Sequence, residues 1–296
     1  MKNIMTLTVA AACTLVLTAC GGGGDSDDNS NALSRADEGI WGNDPNDTTT
    51  DALQVVILND GSYWSIDGSG FHDGVFSRIK LISHGTASID GKNVSGAYFK
   101  FTGSDGGSQD ISYGNGAYTG TASTQNNLRL IFNDPSVYGG NFSMNYDGVY
   151  NQPASLATIE GNYLPGGVYA PVSWPPNVPF PSQWITPDHP NLTISGSTLT
   201  LYNGNGEVAM TGAITPHGTM VNVFDVSLTS DSANPMANKT WAGATVGISA
   251  PSAITPPITF NGILFQTSAG RSNNYIEVVA TAGNSAAFYF LGSKQD

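Results

Sequence analysis

The stretch Thr198-Leu199-Thr200-Leu201-Tyr202-Asn203-Gly204-Asn205-Gly206-Glu207-Val208-Ala209-Met210 alternates polar and apolar residues, turns at Asn-Gly-Asn-Gly and resumes with apolar residues. A period of two is typical of a strand with one buried face, and Asn-Gly is a dipeptide that tight hairpin turns favour. The rest of the body continues in the same manner, with short runs of β-branched and aromatic residues bounded by Gly, Asn and Asp. Because no segment sustains an apolar period of 3.6 residues, the sequence predicts an all-β fold.

The predicted strands follow one another at the spacing of antiparallel barrels and sandwiches, about 8–12 residues. They cover residues 54–58, 62–66, 75–82, 97–101, 118–123, 128–132, 142–146, 192–194, 198–202, 208–214, 221–228, 240–248, 258–266, 275–280 and 286–291.

An approximate internal repeat divides this body. Glu38-Gly39-Ile40-Trp41 recurs as Glu160-Gly161-Asn162-Tyr163, and residues 115–123 resemble residues 205–215. The two pairs have different offsets, so the relationship is loose and not an exact duplication.

From this repeat we predict two tandem small antiparallel β-barrel or sandwich domains. They span residues 38–150 and 155–296 and are joined by Tyr150-Asn151-Gln152-Pro153.

The N-terminus predicts export and lipid anchoring. Lys2 precedes an apolar stretch of about 24 Å as a helix, which is too short to span a membrane core of about 30 Å. A charged start, a short apolar core and small residues before a break describe a signal peptide, here residues 1–19. Leu17-Thr18-Ala19-Cys20 resembles a lipobox, which implies cleavage before Cys20 and acylation of that cysteine. Several acyl chains anchor a protein firmly to a membrane.

Residues 20–37 are Gly, Asp, Ser and Asn with almost nothing apolar, so we predict a disordered tether. In related lipoproteins an Asp after the acylated cysteine usually retains the protein in the inner membrane. Gly21 at this position therefore implies the outer membrane. Whether the body faces the periplasm or the outside stays open.

The mature chain is acidic and has no free thiol. Cys13 leaves with the signal peptide and Cys20 is acylated, which excludes disulfides and cysteine-ligated metals. Loss of Lys2 leaves 9 basic against 23 acidic residues, a net charge of −14. Such a charge argues against nucleic acid as a partner, because its phosphates would be repelled.

Motifs for catalysis or cofactors do not stand out. The histidines, His72, His84, His189 and His217, each sit beside Gly, Pro or Asp in predicted turns, and none has the spacing of a metal site. We therefore predict no cofactor, no metal and no catalytic residue. A His/Asp site that assembles only in space stays open as an alternative.

The segment 164–190 is crowded with prolines, which exclude helix and central strand. Tyr169, Trp174, Phe180 and Trp184 are interleaved with them. Stiff loops that present aromatic rings lose little entropy on binding, so these residues are candidates for ligand contact. The alternative is that the rings fold back and plug a barrel mouth.

The string Tyr150-Asn151-Gln152-Pro153-Ala154-Ser155-Leu156-Ala157-Thr158-Ile159-Glu160-Gly161-Asn162-Tyr163 resembles the middle of a group of uncharacterised proteobacterial lipoproteins, as do Val221-Asn222-Val223-Phe224-Asp225-Val226 and residues 288–292. The anchor, tether and paired barrels resemble two-barrel surface lipoproteins that capture host proteins, an analogy of architecture alone.

The predicted function is an outer-membrane lipoprotein that binds a protein or glycan ligand without catalysis. The alternatives are a periplasmic structural or envelope partner, a toxin-neutralising lipoprotein, and a hydrolase.

Overall fold

The computed structural model describes residues 35–42, 51–69, 78–102, 113–134, 140–165, 191–202, 206–230, 246–249, 257–266, 275–284 and 286–295. Over these residues the fold is all-β, as predicted, and forms two tandem antiparallel barrels. The strands are β1 (Gly39–Gly42), β2 (Asp51–Ile57), β3 (Ser62–Ser69), β4 (Arg78–Asp90), β5 (Asn93–Thr102), β6 (Tyr113–Ser123), β7 (Asn127–Phe132), β8 (Asn141–Asp147), β9 (Gly161–Pro165), β10 (Asn191–Ser195), β11 (Thr198–Tyr202), β12 (Val208–Pro216), β13 (Val223–Ser230), β14 (Val246–Ser249), β15 (Thr259–Phe265), β16 (Tyr275–Thr281) and β17 (Ala287–Lys294).

In barrel 1, strands β1 to β8 pair in sequence order and the ring closes between β1 and β8. Trp41 on β1 marks the closure, because it lies opposite Val55 of β2 on one side and Tyr146 of β8 on the other. Among the barrel 1 strands that the structure describes, closure leaves no open sheet edge.

Barrel 2 contains strands β9 to β13 and β15 to β17, and it closes between β17 and β9. Gly292 to Lys294 of β17 pair with Pro165 to Tyr163 of β9. The earlier half of β17 pairs instead with β14, which thus lies outside the ring.

The interiors of both barrels are filled by side chains, as expected for eight-stranded barrels of this size. In barrel 1 the buried rings of Tyr63, Tyr98, Tyr118 and Phe132 pack together, with the Tyr63 and Tyr118 centroids 4.8 Å apart. The interior of barrel 2 is lined by apolar residues such as Phe260 and Phe288, together with Tyr163.

The outer walls of the two barrels pack against each other through a third apolar cluster, the interbarrel cluster. Barrel 1 contributes outward residues of β1 to β5, and barrel 2 contributes outward residues of β13 and β15 to β17. Its buried members are Ile40, Val56, Leu58, Ile66, Ile82, Phe101, Tyr150, Val223, Ile263, Phe265, Val279, Ala287, Tyr289 and Leu291.

The linker between the barrels is short and ordered. After β8 it forms a 3₁₀ turn (Gly148–Asn151) and a single-turn helix α1 (Leu156–Ile159). The carbonyl of Tyr150 accepts a hydrogen bond of 2.9 Å from the backbone N–H of Asn222 in barrel 2. The Tyr150 hydroxyl donates to Oε1 of buried Glu38 at 3.0 Å, which ties the linker to the start of barrel 1.

The folded body extends three residues into the segment that the sequence analysis assigned to the tether. Asp37 is fully buried and pairs with the Arg35 guanidinium at 2.8 and 2.9 Å. Arg35 also donates to the carbonyl of Ala87 at 2.9 Å. Of the helices within the described ranges, none is long and apolar enough to cross a membrane.

Candidate functional site

A cleft of about 350 Å³ opens between the two barrels, next to the interbarrel cluster. Its walls come from β2 to β4 of barrel 1 and from β12, β13, β15 and β16 of barrel 2, with the turns beside them. The lining residues are Leu58, Asp60, Ser62, Trp64, His84, His217, Asp225, Asn261, Gly262, Ile263, Thr281 and Gly283.

Two aromatic rings, those of Trp64 and His84, belong to the barrel 1 wall of the cleft, and Phe99 continues their row beyond the lining residues. Trp64, His84 and Phe99 lie directly opposite one another on β3, β4 and β5, so their side chains form one outward row across the sheet. The ring centroids of Trp64 and His84 are 5.7 Å apart, and those of His84 and Phe99 are 6.2 Å apart. Trp64 and Phe99 pack on the interbarrel cluster, which holds the row in place.

His84 is a neutral ring at pH 7. Its burial lowers its pKa below the ordinary value and outweighs the opposing effect of Gly283 and Asn284, which face the ring from barrel 2. Its Nε2 atom makes no hydrogen bond of normal geometry to any residue that the structure describes.

Asp60 supplies a carboxylate from the turn between β2 and β3. Partial burial opposes its ionisation, but hydrogen bonds from Ser62 and the attraction of His217 and Arg35 outweigh that effect and lower its pKa. The backbone N–H of Ser62 donates to Asp60 Oδ1 at 2.7 Å. The side chain is therefore charged at neutral pH and exposed to solvent.

The barrel 2 wall holds a histidine–carboxylate pair. His217 lies beyond the end of β12, and its Nδ1 atom is 2.8 Å from Oδ1 of Asp225 on β13. The hairpin geometry brings them together, because Thr215 lies opposite Asp225 in the β12–β13 ladder. The Asp225 side chain is 52 % exposed, so it also faces the cleft solvent.

The cleft thus combines two carboxylates, two imidazoles, an amide, hydroxyl groups and an indole ring. Such a set accepts and donates hydrogen bonds and offers an aromatic face. Across the described ranges, no three His, Cys, Asp or Glu side chains are placed to hold a metal ion together.

The chain matches no protein-family model, no curated protein and no solved structure.

The site residues predicted from sequence lie outside the described residues. This holds for Tyr169, Trp174, Phe180 and Trp184, all in the connection between β9 and β10, and for Cys20. Their roles stay predictions.

The sequence analysis missed the cleft, although parts of it left a signal. The placement of His84 in a turn was wrong, because this residue lies within β4. His217 lies in the predicted turn between the strands predicted at 208–214 and 221–228, and Asp225 lies on the second of these strands, so a hairpin register would have brought them together. The meeting of these residues with Trp64 depends on how the barrels pack, which no local pattern encodes.

Proposed function

We propose that this chain is an outer-membrane-tethered lipoprotein whose two-barrel body binds a protein or glycan ligand and does not catalyse a reaction. The anchor and the location rest on the lipobox and on Gly21. The binding role rests on one structural observation, the cleft between the barrels with its aromatic and polar walls.

The geometry of the cleft supports binding in three ways. Its volume of about 350 Å³ lies at the lower end of the range of ligand sites, and it suits one side chain or one sugar ring. Its walls belong to strands and tight turns, so the polar groups are held in place before a ligand arrives. The indole of Trp64 provides a flat face for a sugar ring or a side chain.

The proposal is tested with the lipidated protein in detergent, applied to an array of glycans and peptides. We expect saturable binding to a restricted set of probes. The same probes are then applied to Trp64→Ala and Asn261→Ala, which change opposite walls of the cleft, and to Tyr202→Ala, which changes an aromatic residue outside it. Melting curves check that each variant is folded.

We expect both cleft variants to lose at least tenfold in affinity and Tyr202→Ala to match the wild type. Asn261 is exposed, so its truncation leaves the fold intact even if Trp64→Ala is unstable. Unchanged binding by folded cleft variants would refute the cleft as the ligand site. Failure of the wild type to bind any probe would count against the binding role itself.

A hydrolase is the second candidate, and the pair of His217 and Asp225 favours it. An imidazole whose Nδ1 is held by a carboxylate is the arrangement that activates a serine nucleophile, and Ser62 lies in the same cleft. Turnover of ester or amide substrates that disappears in both Ser62→Ala and His217→Gln would establish this activity. Turnover that survives both substitutions would exclude this site.

A periplasmic envelope partner differs from a surface receptor in its exposure. An antibody against the folded body that stains intact cells places the ligand outside the cell. Staining only after permeabilisation of the outer membrane favours the envelope partner.

A further inference from the structure

We propose that the cleft binds an organic cation, namely the guanidinium group of an arginine side chain on a protein or peptide partner. This inference deepens the proposed binding function and rests on it. It is carried by the charges that line the cleft, by its aromatic wall and by its size.

At neutral pH the side chains that line the cleft carry a net negative charge, whether His217 is neutral or protonated. Asp60 and Asp225 contribute two carboxylates, whereas His84 is neutral. Even a protonated His217 leaves one net negative charge, and no lysine or arginine is among the lining residues that the structure describes. Anionic ligands are therefore disfavoured, and a cation gains attraction from both walls.

Arg35, a cation that acts on Asp60 of the cleft, is already paired. Arg35 is close enough to Asp60 to influence its ionisation, but its guanidinium forms a bidentate pair with buried Asp37 and donates to the carbonyl of Ala87. The charge of Arg35 is thus balanced by Asp37, and Asp60 stays available to a ligand.

The aromatic wall favours a guanidinium over a compact ammonium ion. A planar, weakly hydrated cation stacks on an indole face while its N–H groups reach carboxylates at its edge. Trp64 provides that face, and Asp60 and Asp225 belong to the two walls of the same cleft. The volume of about 350 Å³ fits the head and stem of one arginine side chain and not a folded segment.

The net charge of the whole mature chain also favours a positively charged partner. The mature chain carries 9 basic and 23 acidic residues, so its long-range field draws cationic groups towards it and raises their association rate. Attraction of this kind weakens as salt screens the charges.

The experiment follows the indole N–H resonance of Trp64 in the ¹⁵N-tryptophan-labelled lipoprotein in detergent. The signal is assigned with Trp64→Phe. The probes are acetyl-arginine amide, acetyl-citrulline amide, acetyl-lysine amide and the best neutral glycan from the array. Citrulline matches arginine in shape but has no charge. Asp60→Asn combined with Asp225→Asn removes the carboxylates, and Asp90→Asn removes an exposed carboxylate outside the cleft.

We expect the arginine probe to shift the Trp64 resonance saturably in the millimolar range, with citrulline at least fivefold weaker. The double variant should weaken arginine binding at least tenfold, and Asp90→Asn should leave it unchanged. Equal titration by arginine and citrulline, or no loss in the folded double variant, would overturn the inference. Stronger binding of lysine than of arginine would replace guanidinium with ammonium as the ligand group.

Failure of this inference is distinguishable from failure of the binding function. If the neutral glycan moves the Trp64 resonance and arginine does not, the cleft is a ligand site and the cation assignment is wrong. If neither probe moves it, both the assignment and the cleft-binding proposal fail.

Discussion

The hydroxyl of Tyr289 on β17 donates a hydrogen bond of 2.9 Å to Oε2 of Glu277 on β16, in the interface between the two barrels. Both residues are about 98 % buried. Gln54 on β2 completes the group from barrel 1, because its amide nitrogen, when turned towards Glu277, lies 3.0 Å from both carboxylate oxygens. The carboxyl group therefore joins the barrels through donors from each.

This buried carboxyl makes the stability of the body depend on pH. Burial raises the pKa of Glu277 from its ordinary 4.5 to about 7, despite the opposing hydrogen bonds from Tyr289 and Gln54. Between these two values the unfolded chain has lost a proton that the folded chain retains. Stability therefore falls as pH rises through this window and is constant with respect to this group outside it.

We predict that Glu277→Gln removes this fall in stability with rising pH. At about 1.4 kcal/mol per pKa unit, the wild type should lose roughly 3 kcal/mol relative to the variant between pH 4.5 and 7. Urea unfolding at a series of pH values measures the difference, with Asp90→Asn as the control for an exposed carboxylate. Parallel pH profiles for the wild type and Glu277→Gln would contradict the account.

The Glu-Gly-x-aromatic repeat has the same structural role in both barrels. Gly39 and Gly161 begin the first strand of each barrel, with φ angles of +152° and +148°. Two residues on, the indole N–H of Trp41 donates to the carbonyl of Asp37 at 2.9 Å, and the Tyr163 hydroxyl donates to the carbonyl of Ile159 at 2.7 Å. In each case the acceptor lies four residues before the ring.

We predict that alanine is costly at both glycines but more so at the first. At these φ angles a side chain strains the backbone by about 1–3 kcal/mol. At Gly39 the new methyl group would also lie 2.5 Å from the ring of Tyr146, whereas at Gly161 it meets the flexible end of Lys294. Overpacking against the Tyr146 ring should therefore lower the free energy of unfolding of Gly39→Ala by about 1–3 kcal/mol more than that of Gly161→Ala. Denaturant unfolding measures the free energy of unfolding of both variants. An equal loss in the two would contradict this prediction, because it would show that the Tyr146 ring moves aside without a loss of packing.

The sequence predicted the fold class well and the starts of the barrels poorly. Most described strands overlap predicted ones, since alternation and turn residues are local signals. Strands β1 and β9 were not predicted because each begins on a glycine, a residue that otherwise marks the boundary of a strand. The apolar pattern also placed the end of β4 at Ile82, whereas the strand runs to Asp90.

The extension of β4 has a physical reason. Ser83 points into barrel 1 and shares a 2.6 Å hydrogen bond with Ser65, while His84 faces barrel 2. The alternation of apolar and polar residues identifies a strand only when one face is polar and the other apolar. A strand with polar residues on both faces is therefore not recognised by it.

The repeat was only partly structural. Its first pair marks equivalent strands, but residues 115–123 fall on the sixth strand of barrel 1, whereas residues 208–215 of the matching segment fall on the fourth strand of barrel 2. The second similarity therefore reflects shared strand-and-turn composition. The cleft was beyond local prediction for a related reason, since Trp64 and His217 meet only after the barrels have packed.

Lipid attachment is predicted to depend on Cys20 alone. In Cys20→Ser the acylation site is lost, so the protein should leave the membrane fraction and its N-terminal peptide should lack acyl mass. Cys13→Ser is the matched control, since Cys13 lies in the predicted signal peptide and should be absent from the mature chain. Mass spectrometry of the N-terminal peptide shows whether Cys20 carries acyl chains, and an unmodified Cys20 in the wild type would refute the lipid anchor.

The most direct test of the cleft as the ligand site is hydrogen–deuterium exchange of the lipoprotein with and without the tightest array ligand. The account predicts slower amide exchange in residues 58–64 and 261–263, which line the two walls. Segment 164–190, with Tyr169, Trp174, Phe180 and Trp184, should then exchange as in the free protein. Protection confined to that segment, with the cleft unchanged, would contradict the account and assign binding to the proline-rich loop.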